Sequence, residues 1–107
     1  MVGVKWSLQA RDDLRNIHQY ISRDAPMNAK AVVQDILLKA SELPNVPMSH
    51  KAAPEFNDQT IRETSCHSWR IIFKVQQELI VVLTLAHKRR VLQTEQLEFI
   101  QQNDLLN

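Results

Sequence analysis

The stretch "IRETSCHSWRIIFKVQQELIVVLTLAHKRR", residues 61–90, decides how this chain folds. It carries the β-rich segments "TIRET", "WRIIFKV" and "LIVVLTLA", separated by "SCHS" and "QQE", whose lengths suit tight hairpin connections. The pattern predicts a three-stranded antiparallel meander. In the middle segment Trp69, Ile71, Phe73 and Val75 alternate with Arg70, Ile72 and Lys74, so its first face is expected to lie against helices. "LIVVLTLA" is apolar on both faces, which assigns it a central position between the middle strand and an N-terminal one.

Toward the N-terminus, "VGVKW" is a short β-type start. Ser7 then stands where a helix cap belongs, since its hydroxyl can accept a hydrogen bond from an unpaired amide of the first turn. Ala10, Leu14, Ile17 and Ile21 share one face of a helix over about 8–23. A second helix over about 26–43 is expected, with Asp24 as its cap and Pro26 in its first turn, where a missing amide costs nothing. Ala29, Val33, Ile36, Ala40 and Leu43 repeat at similar spacing, so the two helices should pack as an antiparallel hairpin. "LPNVPMSHKAAPEFND", with Pro44, Pro47 and Pro54, has no clean period and reads as a surface loop. After Arg90, "TEQLEFIQQ" fits a short helix with Leu97 and Ile100 on one side. The expected fold is α+β, a single domain over residues 1–107 in the order β-α-α-β-β-β. A helical hairpin packs on a mainly antiparallel four-stranded sheet, followed by a short C-terminal helix.

Composition bounds the chemistry. A chain of 107 residues can bury one core, and an apolar content of 44% argues against disorder. The single Gly excludes phosphate-cradling loops of the Walker or dinucleotide type, which need several glycines. With a formal net charge of +1, basic surface arises only by segregation of charge, which weakens a nucleic-acid reading. Cys66 stands alone, so no intrachain disulfide forms, a reducing compartment suits the chain, and an inert thiol is favoured over a catalytic one. His18, His50, His67 and His87 have no paired ligand spacing, so neither a metal nor a cofactor is expected. A Ser-His-Asp signature is likewise missing. No apolar stretch approaches the roughly 20 residues of a membrane span. "MVGVKWSLQARDD" lacks an apolar signal core and a cleavage site. A cytoplasmic protein without a membrane partner is expected.

Several structural readings attach to the charged residues. His87 can cap the end of the last strand by hydrogen bonding to a neighbouring backbone group. Arg62 and Arg70 can pair across strands with Glu63 or Glu78, a contribution of about 0–1 kcal/mol when exposed. Arg11 and Arg15, beside Asp12 and Asp13, look like a solvated helix face, and Trp6 and Trp69 like core.

The ordered combination of "DLRNIHQYISRDAPMNA", "IRET", "WRIIFKV" and "IVVLTLAHKRR" resembles the RelE/ParE toxin superfamily of bacterial type II toxin–antitoxin systems. The likeness is closest to its ParE-like, or plasmid-stabilisation, branch. It covers about residues 4–92 and rests on Asp13-Leu14, Tyr20-Ile21, Arg62-Glu63, Trp69-Arg70-Ile71 and His87-Lys88-Arg89-Arg90 together. The resemblance implies a cognate antitoxin, laying an amphipathic helix and an extended stretch on an exposed apolar groove of the helix pair.

It also implies one of two activities, since a fold alone does not choose between them. One is inhibition of DNA gyrase by protein contact, with Arg62, Arg70, Lys88, Arg89 and Arg90 as partner-binding residues and no catalysis. The other is ribosome-dependent mRNA cleavage, which requires a base, cations facing the phosphate and an acid. Arg70 and Arg89 match arginines of the nuclease branch, Glu63 could be base and His87 acid. Against it, Glu63 stands where a lysine-rich face is expected, and "VLQTEQLEF" offers no Tyr or His. Gyrase inhibition is the favoured expectation, and a degenerate toxin fold with neither activity is the third reading.

Overall fold

The computed structural model of the chain describes residues 3–45, 49–93, 95, 96 and 98. Strand β1 (Gly3–Trp6) leads into helices α1 (Leu8–Ser22) and α2 (Pro26–Ser41), followed by a 3-10 turn at Leu43–Asn45. Strands β2 (Lys51–Ala52), β3 (Ile61–Cys66), β4 (Trp69–Val75) and β5 (Leu79–His87) complete the order. They form one sheet in the order β1-β5-β4-β3-β2. β1 runs parallel to β5, and the remaining pairs are antiparallel.

The sheet therefore has five strands and is mixed, where four were expected. The added strand lies inside the stretch read as loop: Lys51 pairs with Glu63 and Ala52 with Arg62. Two residues are too few to present a period, so only the pairing reveals this strand. The expected meander is present, and β5 takes the central position, between β1 and β4. It is buried from Ile80 to Ala86, because strands flank it and both sheet faces are covered.

Ser7 caps α1 as expected, accepting from the Ala10 amide at 3.0 Å, and its hydroxyl donates to the Leu83 carbonyl at 2.7 Å. α2 differs at its start: the cap position is Ala25, without a side-chain hydrogen bond, and Asp24 does not serve. Ile17, Ala29, Ile36 and Ala40 are buried as the helical spacing predicts, but Val32 takes the core position expected of Val33. Helices and sheet meet over Ile71, Phe73, Ile80, Val82 and Leu85, with Trp6 and Trp69 packed at the margin. A second apolar cluster fills the opposite face, where Ile61, Ile72, Val81, Leu83 and Ala86 are covered by Ala53, Phe56 and Leu92. Of the short C-terminal helix, Glu95, Gln96 and Glu98 are helical, while Leu97 and Ile100 lie outside the described residues. No helix among the described residues is long and apolar enough to cross a membrane.

Candidate functional site

The β4–β5 pairing contains a bulge that decides which charged residues meet. Ile72 faces Thr84 while Phe73 faces Val82, so Leu83 is an extra residue on β5. Before the bulge, Leu79, Val81 and Leu83 pack on the face away from the helices. Unbroken alternation would put Leu85 and His87 there too. After the bulge, Leu85 joins the helix side, and His87 stands opposite Trp69, next in sequence to Arg70.

Arg70 projects from the other face, opposite Ser65 and diagonal to Glu63. Its Nη2 donates to Glu63 Oε1 and to Glu55 Oε1, both at 2.6 Å. Its Nη1 donates to Glu55 Oε2 at 2.7 Å and to the Arg90 carbonyl at 3.2 Å, and Nε reaches Glu63 Oε2 at 3.4 Å. All the N–H donors of the guanidinium are thereby used. Glu55 Oε2 also accepts from the Leu92 amide at 3.3 Å, and Lys51 Nζ approaches Glu63 Oε2 at 3.5 Å. The side chains of Arg70, Glu55 and Glu63 are 8%, 9% and 4% exposed, so this is a buried ion cluster and not the exposed cross-strand pair expected. The Glu55 carboxyl is held below its ordinary value by its Arg70 hydrogen bonds, against the upward push of burial. The same carboxylates hold Arg70 firmly protonated.

Above this cluster lies an open depression of about 760 Å³, bordered by Lys51, Lys88, Arg90 and Val91. The structure thus gathers Glu63, Arg70, Lys88 and Arg90 of the residues singled out in sequence. It does not bring His87 to them. His87 borders a separate cleft of about 490 Å³ with Tyr20, His67 and Trp69. Its Nδ1 accepts from the Arg89 amide at 3.1 Å, its carbonyl accepts from the Arg90 amide at 2.9 Å, and its ring meets Trp69 edge-on at 5.3 Å. This is the capping arrangement. Arg62, opposite Phe73, lies on the helix side of the sheet, where its guanidinium donates to the carbonyls of Gln59 at 2.8 Å and His50 at 3.1 Å. Arg89 is exposed on the turn after β5 and does not border the depression.

Sequence reasoning missed Glu55 and Asp13. Glu55 sits in "APEF", where an acid between apolar neighbours was the one available signal. Asp13, which the charge pattern assigns to a solvated helix face, accepts instead from the Leu85 amide at 3.0 Å and from the Thr84 hydroxyl. It thus satisfies the edge of β5 beyond the end of β1. Arg15 and Asp12 do form an exposed pair, at 3.0 Å. Cys66 is half-buried, and burial together with Asp35 pushes its thiol up, away from the reactive thiolate. Among the described residues no group of His, Cys, Asp and Glu could hold a metal ion.

The family described as "ParE toxin of type II toxin-antitoxin system, parDE" matches the chain over residues 4–92. No curated protein matches it. Among solved structures, one described as "Chromosomal ParDE TA system from P. aeruginosa" superposes with a TM-score of 0.69 at 23% identity, covering 81% of this chain and 96% of that one. At that identity the likeness speaks for the fold.

Proposed function

Because the chain belongs to the ParE toxin family of type II toxin–antitoxin systems, we propose that it arrests growth by binding DNA gyrase and that a cognate antitoxin neutralises it. Contact, and not covalent chemistry on nucleic acid, is the mode of action. The observation that carries this reading is the division of the candidate nuclease groups between the two faces of the sheet. Glu63 and Arg70 lie on one face and His87 on the other, so no phosphate meets base, cation and acid together. Arg70 has no free donor to offer a phosphate, and a neighbouring carboxylate pair repels one. His87 is held as a cap through its Nδ1.

The antitoxin reading draws support from the outer surface of the helical layer. Leu8, Leu37 and Leu38 are exposed there, and Val4, Trp6, Leu14 and Leu37 border a groove of about 400 Å³. An amphipathic helix could bury its apolar face on that groove, and a chain that folds on binding would gain its ordering from this burial.

Purified protein added to a gyrase supercoiling reaction and, separately, to translating ribosomes tests the proposal. Supercoiling is expected to be inhibited with mRNA left intact. Cut mRNA with normal supercoiling would refute it in favour of the nuclease, and no effect in either assay would favour the degenerate toxin fold.

A further inference from the structure

The buried cluster of Arg70, Glu55 and Glu63 carries one more negative than positive charge, and the nearby ammonium of Lys51 offsets it. Two cations on the border of the depression then remain, Lys88 and Arg90. Both are exposed, and among the described residues neither side chain forms an ion pair or a hydrogen bond. Their backbone is nevertheless fixed. The Lys88 amide donates to the Ser68 carbonyl at 2.9 Å, and the Arg90 carbonyl accepts from Arg70. The next residues continue the same border: Val91 is 69% exposed, and the Leu92 amide is tied to Glu55. Pro54 supplies a further apolar edge.

We infer that the depression over the Glu55–Arg70–Glu63 cluster is a docking site for an acidic, partly apolar segment of a protein partner. Lys88 and Arg90 pair with its carboxylates, and Val91 and Pro54 take an apolar side chain between them. Charge complementarity selects an anionic occupant, and the rest of the lining selects peptide over nucleic acid. Among the described residues no aromatic ring borders the depression, so they offer bases nothing to stack on. Glu55 and Glu63 lie in its floor, where a phosphate would meet them, whereas a peptide can keep its carboxylates at the rim. The inference deepens the contact-mode toxin reading by giving the chemistry of the surface that makes the contact. It moves that surface from the arginines of the strands to the segment after β5.

The test reads binding directly and leaves gyrase and growth out, so that its failure is distinguishable from failure of the toxin reading. The 15N-labelled full chain is titrated with a short synthetic peptide alternating Glu and Leu, and separately with a single-stranded RNA oligonucleotide. Peptide-induced shifts are expected at the amides of Lys51, Lys88, Val91 and Leu92, together with saturable binding. Reversing both rim charges in the Lys88→Glu, Arg90→Glu double variant is expected to weaken it by roughly tenfold or more, because like charges facing across an interface are strongly unfavourable. The exposed Lys30→Glu change on α2 keeps the same sign of charge change away from the depression and is expected to leave binding intact. Peptide binding unaffected by the double variant would overturn the inference. So would tighter binding of the RNA at the same residues, or shifts there on raising the protein concentration alone, which would assign the site to a second copy of the chain.

Discussion

The guanidinium of Arg70 and the carboxylate of Glu55 meet edge to edge, Nη1 to Oε2 at 2.7 Å and Nη2 to Oε1 at 2.6 Å. This paired geometry joins β4 to the loop between β2 and β3. Through the Arg90 carbonyl and the Leu92 amide, it also fastens the segment that leaves β5. Three stretches far apart in sequence are thus held by one buried cation.

Removing Glu55 leaves Glu63 as the counter-charge of the guanidinium but strands the two Arg70 donors and the Leu92 amide that Glu55 accepts from. Glu55→Ala is expected to lower the unfolding free energy by roughly 3–5 kcal/mol in urea titration, because several buried donors, two of them on a charged group, lose their partner at once. Lys51→Ala, at a side chain that is 74% exposed, should cost less than about 1 kcal/mol. Equal losses from the two would show that the cluster is not the fastening described.

Stability should depend on the ionisation of Glu55. Its folded-state carboxyl is held below the ordinary value of 4.5, chiefly by the hydrogen bonds from Arg70. As pH falls, the unfolded chain takes up this proton first. The stabilisation is therefore complete above about pH 4.5 and is lost as pH falls through the lower folded value. Urea midpoints of the natural chain and of Glu55→Gln should converge over that window. A gap independent of pH would assign the effect of Glu55 to packing alone.

Asp13 holds the edge of β5 where β1 has ended. Asp13→Ala strands the buried Leu85 amide and Thr84 hydroxyl and is expected to cost about 1–3 kcal/mol. Hydrogen exchange gives a sharper reading, since the Leu85 amide should lose protection more than the amides of β3. Uniform loss across the sheet would indicate global destabilisation only.

Arg89→Ala with Arg90→Ala removes exposed charge and keeps the backbone contacts of the turn. Growth arrest on induced expression is expected to weaken, with stability changed by no more than about 0.5 kcal/mol. A collapse in the thermal midpoint would make the pair structural instead.

His87→Ala separates the two activities. As a cap, His87 protects the Arg89 amide, so its loss should speed hydrogen exchange there and leave growth arrest in place. Abolished arrest in a folded variant would restore His87 to a direct role.

Much of this architecture was legible because it depends on periodicity. Ser7, Ile17, Ile36, Ile71 and Phe73 lie where helical and strand spacing assign them, and "LIVVLTLA" was central because nothing polar interrupts it. β2 was not legible, since Lys51–Ala52 is a strand only by virtue of pairing with Arg62 and Glu63. Val32 replaced Val33 because adjacent valines both fit the helical face, and packing against the sheet selects between them.

The site divides in the same way. The residue types were set by the sequence: a single glycine excluded Walker and dinucleotide loops, a near-neutral chain weakened a nucleic-acid reading, and the basic run His87–Arg90 was plain. Which residues meet was decided by the tertiary structure, through one inserted residue. The extra Leu83 in β5 reverses the alternation that follows it and turns His87 away from Arg70. Glu55, arriving from an aperiodic loop, then occupies the guanidinium. A bulge and a long-range ion pair leave no local pattern, because each is stabilised by contacts with a distant partner and not by neighbours along the chain.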